Sequence, residues 1–361
     1  MVGRRPAERW SPAELEVVAG AVLRAPSVHN IQPWRLDFEE GLLVLVERRD
    51  LELPEHDPYG RDRLVSCGAA LANLELAIRV LGHRTCTAVF PDPGRPEVVA
   101  AVEPDGPLPP SVAEVNRYSA IKRRHSHRRR FSGRSLTRHQ VVELRDGAAA
   151  EGVQARPVLD EIELTMVADR LEFAAEAYRH DRGYQRELAL WTVRDEGRRS
   201  GVGLAASVRS AGSLPWAGLV RESTALPDRE VLQRRLAEET LLAFVTPGDT
   251  RHDHLRAGRA LQLTWLDAVH QGLVGSVLTQ PLHLPEVRAA LTEDLELPGS
   301  LQVLMRFGYP SSAVPHSPRR SIDELLGTGG YPSSAVPHSP RRSIDELLGT
   351  GFRGGEAGGG R

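Results

Sequence analysis

Cysteine is scarce in this sequence, and long apolar segments are absent from it. The 361 residues include only Cys67 and Cys86, too few for a disulfide framework or a zinc site. No apolar run reaches the roughly 18 residues that a membrane-spanning helix needs. Residues 1–10 are polar and rich in arginine, unlike a secretion signal. We therefore expect a cytoplasmic protein that does not bind membranes.

A net charge of either sign is also nearly absent. Lysine and arginine number 46 against 48 aspartates and glutamates, a formal net charge of −2 that offers no general field to attract nucleic acid. One basic run, Lys122–Arg130, interrupts this balance. It is short and contains no interleaved aromatic residues, so we do not expect a nucleic-acid partner.

Helices and strands alternate in the predicted secondary structure. The first half contains a helix at Pro12–Leu23, a strand hairpin at residues 34–46 and an apolar helix at Ser66–Leu81. A proline-rich stretch at residues 107–110 marks a boundary, after which a helix at Val112–Arg130 begins a second series in the same order. The pattern predicts a mixed sheet covered by helices on both sides and two related units.

Two segments depart from this alternation. Residues 195–227 are rich in glycine, arginine and serine without periodicity, which predicts a mobile flap or, alternatively, a plain surface insertion. Near the end, Gly308–Gly329 recurs without change as Gly330–Gly351, a recent duplication rather than a solenoid. Only the first copy follows a predicted strand, at residues 301–307. We therefore expect the first copy to pack and the second, with the glycine-rich end, to be loosely ordered, although the copies could exchange roles.

The loop Arg24–Trp34, between the first helix and the first strand, carries the most specific pattern. Serine, asparagine and glutamine at fixed offsets, closed by Pro-Trp, offer neutral donors and acceptors suited to a planar, polar-edged heterocycle. The alternative is a helix-stop turn with a buried tryptophan. The string resembles the P-S-x-x-N-x-Q-P-W signature of the nitroreductase superfamily, whose members bind FMN. The resemblance implies cofactor contacts from Pro26, Ser27, Val28, Asn30 and Gln32.

A second motif lies within the basic run. The sequence Arg124-His125-Ser126-His127-Arg128 resembles the R-R/H-S-x-R/K motif that holds the FMN phosphate and ribityl chain in nitroreductases. A phosphate needs charge-assisted donors, and arginine offers two N–H groups in one plane. The resemblance implies that Arg124 and Ser126 bind the phosphate and that Arg128 reaches the ribityl chain and ring edge. A solvated basic surface is the alternative.

Two further segments match the same family. Arg319 and Arg320 correspond to the basic residues near the C-terminus that close the phosphate site in family members, and Arg341 and Arg342 are their duplicates. The segment Gly272–Pro281 resembles the Gly-Leu-Gly…Pro segment whose backbone amide faces flavin N5. The resemblance leaves three candidates for that amide, namely Leu278, Thr279 and Gln280.

The distribution of the motifs resembles the fused, Acg-like nitroreductase-related flavoproteins of actinobacteria. That resemblance implies an α+β, nitroreductase-like fold of mixed, mainly antiparallel sheets flanked by helices, in which one chain forms a pseudo-dimer. Its halves would be residues 1–110 and residues 111–329, the latter with the flap at 195–227, followed by a loosely ordered tail at 330–361. The counterpart of the first-half loop, at residues 147–152, holds only alanine, glutamate and glycine, so one complete flavin site is expected.

The resemblance implies an FMN-binding oxidoreductase. It would pass hydride from NADH or NADPH through flavin N5 to a nitroaromatic or quinone by a ping-pong route, with no catalytic side chain and no metal. The alternative is a flavin-binding or FMN-sequestering protein in which the flap blocks turnover. A fused chain has little need of a partner, so we expect a monomer or a weak homodimer.

Overall fold

The computed structural model describes residues 10–39, 41–149, 151–193, 204–205, 220–223, 225–313 and 316–326. Its helices are α1 (Pro12–Leu23), α2 (Arg61–Val80), α3 (Val112–Ile121), α4 (Arg138–Ala149), α5 (Glu161–His180), α6 (Arg182–Trp191), α7 (Arg229–Ala237), α8 (Arg251–His270), α9 (Pro285–Asp294) and α10 (Ile322–Leu325). Its strands are β1 (Trp34–Glu39), β2 (Leu42–Glu47), β3 (His83–Val89), β4 (Val98–Pro107), β5 (Gln154–Val158), β6 (Thr192–Val193), β7 (Leu204–Ala205), β8 (Thr240–Thr246), β9 (Val274–Leu278) and β10 (Ser300–Gly308).

Two four-stranded antiparallel sheets organise the fold. Their strand orders are β1-β2-β4-β3 and β5-β8-β10-β9, which match when the strands of each sheet are numbered along the chain. The short pair β6–β7 is parallel, and helices flank the sheets. These observations confirm the predicted α+β architecture of mixed, mainly antiparallel sheets, and the shared order is that of two related halves.

Helices α2 and α8 cross at the centre of the molecule. At the crossing, a Cβ on Gly68 would lie 2.0 Å from the Leu255 carbonyl oxygen, and one on Gly258 would lie 2.0 Å from that of Val65. Only glycine therefore permits this approach. Gly258 stands 190 residues after Gly68, so the two helices meet through equivalent positions.

The boundaries of two helices differ from the prediction. Helix α2 begins at Arg61 rather than Ser66, because the Asp57 carboxylate accepts the backbone N–H groups of Asp62 at 3.1 Å and Arg63 at 2.8 Å. Helix α3 ends at Ile121 rather than Arg130. The basic run that follows is drawn into extended backbone by bridges from Ser126 to Gly275 and from Phe131 to Pro310.

Helices α6 and α7 were not predicted. Each begins at an aspartate, Asp181 or Asp228, whose side chain accepts a backbone N–H of the first turn. Most of the predicted flap at 195–227, and all of the predicted tail at 330–361, lie outside the described residues. Within the described ranges, no helix is long and apolar enough to cross a membrane.

Candidate functional site

A cavity lies where the loop after α1, the first half of α2, the middle of α8 and the end of β9 converge. The empty space within its walls, which includes open solvent, is about 720 Å³. It is lined by Pro26, Ser27, Val28, His29, Asp62, Val65, Ser66, Ala69, Ser126, Arg128, Leu261, Trp265, Ser276, Val277, Thr279 and Gln280. The part of the chain that contains the first sheet and the part that contains the second sheet both contribute to this cavity.

Three of the sequence motifs meet in the cavity wall. The first-half loop contributes its residues 26–28, the basic run contributes Ser126 and Arg128, and the end of β9 contributes Thr279 and Gln280. Leu278 is 1% exposed and packs in the apolar core behind them. Chain segments separated by about 100 and 150 residues are thus brought to one surface.

The loop after α1 is held in an unusual backbone conformation. His29, Asn30 and Gln32 have φ values of 43°, 57° and 51°, in the left-handed region that non-glycine residues seldom adopt. The Gln32 backbone N–H donates to Ser27 Oγ at 3.0 Å, which closes the loop. This geometry turns residues 26–29 towards the cavity.

The side chains of Asn30 and Gln32 hold the C-terminal segment at residues 316–326, which we call the strap. Asn30 Nδ2 donates to the Pro318 carbonyl at 3.0 Å, and Asn30 Oδ1 accepts from Arg319 at 2.9 Å. Gln32 Oε1 accepts the Arg320 backbone N–H at 3.1 Å. The two amides that the motif assigned to the cofactor therefore bind the strap, and neither lines the cavity.

Four arginines cluster beside the cavity without an acidic partner. Arg24, Arg124, Arg128 and Arg319 have no carboxylate at ion-pair distance among the described residues. Arg124 is 3% exposed, lies 4.5 Å over the Trp265 ring, and has a buried Nε with no hydrogen-bond partner in the described part of the chain. Such an arrangement favours the binding of an anion.

The electrostatics of the cluster support this conclusion. Burial, and then the charge of Arg319, hold the pKa of Arg124 well below its ordinary value. Burial also lowers the pKa of Arg128 to about 10, and burial together with Arg24 lowers the pKa of Arg319 to about 10. Buried cations without counterions are costly, and a bound polyanion would relieve that cost.

The other end of the cavity holds an acidic side chain that sequence reasoning missed. Asp62 Oδ2 accepts from Thr279 Oγ1 at 2.5 Å and lies 3.1 Å from His283 Nε2. Burial alone would raise the pKa of Asp62 and lower that of His283. Their mutual attraction, together with the Thr279 hydrogen bond to Asp62 and the charge of Asp57 near His283, shifts both pKa values the other way. Asp62 stands inside a helix and His283 in a 3₁₀ turn without any motif, so only the fold shows that they meet.

The pseudo-equivalent position in the other half is filled by side chains. Arg259 and Glu75 occupy the positions that match Ala69 and Trp265 when the chain is shifted by 190 residues. Arg259 binds Glu75 at 2.9 Å and Glu151 at 3.1 Å. Two members of this ion triad therefore stand at positions that correspond to residues of the cavity wall.

Two mycobacterial proteins that are similar to this chain carry the name of nitroreductases. A putative NAD(P)H nitroreductase of Mycobacterium tuberculosis strain H37Rv is 31% identical over 318 residues, which cover 86% of this chain and 90% of the relative. The putative NAD(P)H nitroreductase acg of the same strain is 27% identical over 335 residues, or 86% of this chain and 95% of the relative. No family model matches the sequence.

Solved structures give only a distant likeness. The FMN-dependent nitroreductase NfnB of Mycobacterium smegmatis, in complex with NADPH, is 13% identical with a TM-score of 0.36, covering 58% of this chain and 96% of that chain. A likeness of this extent carries no argument.

The sequence identity to the mycobacterial relatives shows to which protein family this chain belongs. At 31% over nine-tenths of the relative's length, it shows that the chain belongs to the nitroreductase family. Within that family its relatives are the Acg-like proteins of mycobacteria, as the motifs predicted.

Proposed function

We propose that this protein binds FMN and acts as an NAD(P)H-dependent oxidoreductase of the nitroreductase type. The observation that carries the proposal is the arginine cluster, four cations without an acidic partner in the described residues, beside a cavity whose wall contains parts of three sequence motifs. The names of the mycobacterial relatives support the same activity.

The described residues fit the cofactor. Arg124, Arg128 and Arg319 would hold the phosphate dianion through charge-assisted hydrogen bonds, and Ser126 would add a hydroxyl donor. The Trp265 ring and the segment Ser276–Gln280 would lie against the ring system. Bound FMN supplies hydride-transfer chemistry from NADH or NADPH to a nitroaromatic or quinone acceptor.

We also propose a fused, asymmetric organisation. Residues 1–110 and 111–329 would be the two nitroreductase-like halves of a pseudo-dimer, working as a cytoplasmic monomer or weak homodimer. The matching strand orders of the two sheets support this division. The filled position at Arg259 supports a single flavin site.

The visible spectrum under anaerobic conditions tests the proposal. Purified protein reconstituted with FMN should show a bound-flavin spectrum that NADPH or NADH bleaches within seconds to minutes. Flavin that only dithionite bleaches would instead support the FMN-sequestering alternative, which depends on the flap at 195–227. Protein that does not retain added FMN would contradict both.

Arg124→Met tests the residue basis of cofactor binding. Loss of a buried charge-assisted contact should weaken FMN binding roughly 10- to 100-fold. Arg123→Met is the matched control, because Arg123 is adjacent but exposed and should leave the Kd unchanged. Equal effects of the two substitutions, measured by fluorescence titration, would show that the cluster does not bind the phosphate.

A further inference from the structure

A chain of hydrogen-bonded groups leads from the cavity wall into the core. His29 lines the cavity and is 7% exposed, and its Nε2 contacts Nδ1 of His56. His56 is 1% exposed, and its Nε2 lies 3.2 Å from the carbonyl oxygen of Tyr184. No sequence motif predicted this series of hydrogen bonds.

The chemistry of the groups fixes the position of each ring proton. A carbonyl oxygen only accepts hydrogen bonds, so Nε2 of His56 carries its proton and donates to Tyr184. Burial lowers the pKa of His56 to about 4, so the ring is neutral at pH 7 and its Nδ1 is an acceptor. The Glu187 carboxylate lies 3.7 Å from that Nδ1, beyond hydrogen-bonding distance, and does not compete.

The tautomer of His29 follows from that of His56. Because Nδ1 of His56 accepts, Nε2 of His29 must be the donor between them. Burial, and then the proximity of His56 and Arg128, hold the pKa of His29 well below its ordinary value, against the opposing effect of Asp62. A neutral ring that is protonated at Nε2 carries a lone pair at Nδ1.

Nδ1 of His29 is the end of this chain that a ligand can reach. It has no hydrogen-bond partner among the described residues, and it is not among the buried atoms that lack one. His29 belongs to the cavity wall, so a ligand bound in the cavity would lie beside this ring.

We propose that His29 is a positioning residue that accepts a hydrogen bond from an N–H group of a planar ligand in the cavity, and that His56 sets its tautomer. The proposal rests on the proposed function, which supplies two such ligands. One is the imide N–H of the flavin ring, and the other is the carboxamide N–H of the nicotinamide. Because Nδ1 of His29 can only accept, the site selects against a ligand whose edge presents only hydrogen-bond acceptors to that atom.

Imidazole ¹⁵N spectra of the full chain provide the first test. We expect both His29 and His56 to be neutral and protonated at Nε2 at pH 7. Either FMN, or NAD⁺ added to FMN-loaded protein, should shift Nδ1 of His29 towards the resonance of a hydrogen-bonded acceptor, whereas inorganic phosphate, which fits only the arginine cluster, should not. A His29 ring protonated at Nδ1 would overturn the proposal.

Separate additions of FMN and NAD⁺ show which of the two ligands donates the hydrogen bond. They also distinguish failure of this proposal from failure of the proposed function. A shift with FMN alone identifies the flavin, and a shift only after NAD⁺ is added to FMN-loaded protein identifies the nicotinamide. If FMN does not bind, the proposed function fails, yet a response of Nδ1 to NAD⁺ would still support the acceptor role. No response to either ligand would overturn it.

Two substitutions add a binding readout. His56→Phe removes the group that sets the tautomer and should weaken ligand binding about tenfold. His29→Asn retains an acceptor close to the position of Nδ1 and tolerates the left-handed backbone, so it should bind within about threefold of the parent. Unchanged affinity in His56→Phe, or equal losses in both variants, would contradict the proposal.

Discussion

At the scale of single residues, Gly68 illustrates how one atom controls the packing of the molecule. Gly68→Ala would place a methyl group 2.0 Å from the Leu255 carbonyl oxygen. This oxygen belongs to the backbone of a helix and cannot move aside as a flexible side chain could. Helices α2 and α8 would have to separate, and we expect the free energy of unfolding to fall by about 1–3 kcal/mol or more. Urea denaturation monitored by circular dichroism measures this change.

Gly20→Ala is the matched control for that substitution. Gly20 also lies inside a helix, α1, but a Cβ there would meet nothing within 4 Å. Alanine has the better helix propensity, so the free energy of unfolding should rise by roughly 0.5–1 kcal/mol. If both alanines destabilise alike, the close crossing is not what requires Gly68.

At the residue scale, motifs that occupy a short stretch of sequence were the ones that could be predicted to lie together. The loop at 26–32 and the basic run that contains Ser126 and Arg128 each carry their pattern within a short stretch, and the structure brings parts of both to the cavity. Asn30 and Gln32 instead bind the strap, because a sequence pattern identifies polar groups but not the partners that tertiary contacts give them. His29 and Asp62 were missed for the same reason.

At the scale of elements, the strap connects the loop after α1 to the arginine cluster. Arg319 takes part in both, since it binds Asn30 and is repelled by Arg24. In protein without ligand, docking of the strap therefore works against charge repulsion. A bound anion would remove the opposition, so strap docking and anion binding should strengthen each other.

Arg24→Gln tests this coupling, because loss of a side-chain charge should here strengthen the docking of the strap. Removing the Arg24 charge should increase the protection of the strap amides in ligand-free protein, and inorganic phosphate should then add less protection than in the parent. Hydrogen–deuterium exchange at Arg320 and Leu325 measures both effects. Arg123→Gln, at an exposed position, should change neither, and lower protection in Arg24→Gln would refute the coupling.

Element boundaries show where local sequence is insufficient. The start of α2 was placed five residues late, because its first turn is polar and is stabilised by a carboxylate ahead of it, at Asp57. The end of α3 was placed nine residues late, because Lys122–Arg130 has helix-compatible residues that bind β9 instead. In both cases a specific partner outweighs intrinsic propensity.

At the scale of the whole molecule, the two sheets share a strand order. The proposed single flavin site is supported by the ion triad of Arg259 with Glu75 and Glu151, which stands at positions that correspond to part of the cavity wall. We therefore expect one FMN per 39.6-kDa chain, determined from flavin absorbance against protein concentration. A ratio of two per chain would show that the triad opens.

The overall plan was predictable because its signals are long and repeated. Alternating helices and strands predicted a sheet covered by helices, and the family resemblance implied the α+β architecture that the structure shows. The ion triad was not predictable, since Glu75 and Arg259 stand 184 residues apart on helices whose crossing no local pattern specifies.

The crossing of α2 and α8 has a consequence for behaviour in dilute solution. A cavity assembled from two separate subunits disappears when the protein falls below its dissociation constant. Here both walls belong to one polypeptide, and the covalent connection keeps them at a high effective concentration. The protein should therefore hold its ligand equally well at nanomolar and micromolar abundance, independent of how much of it a cell makes.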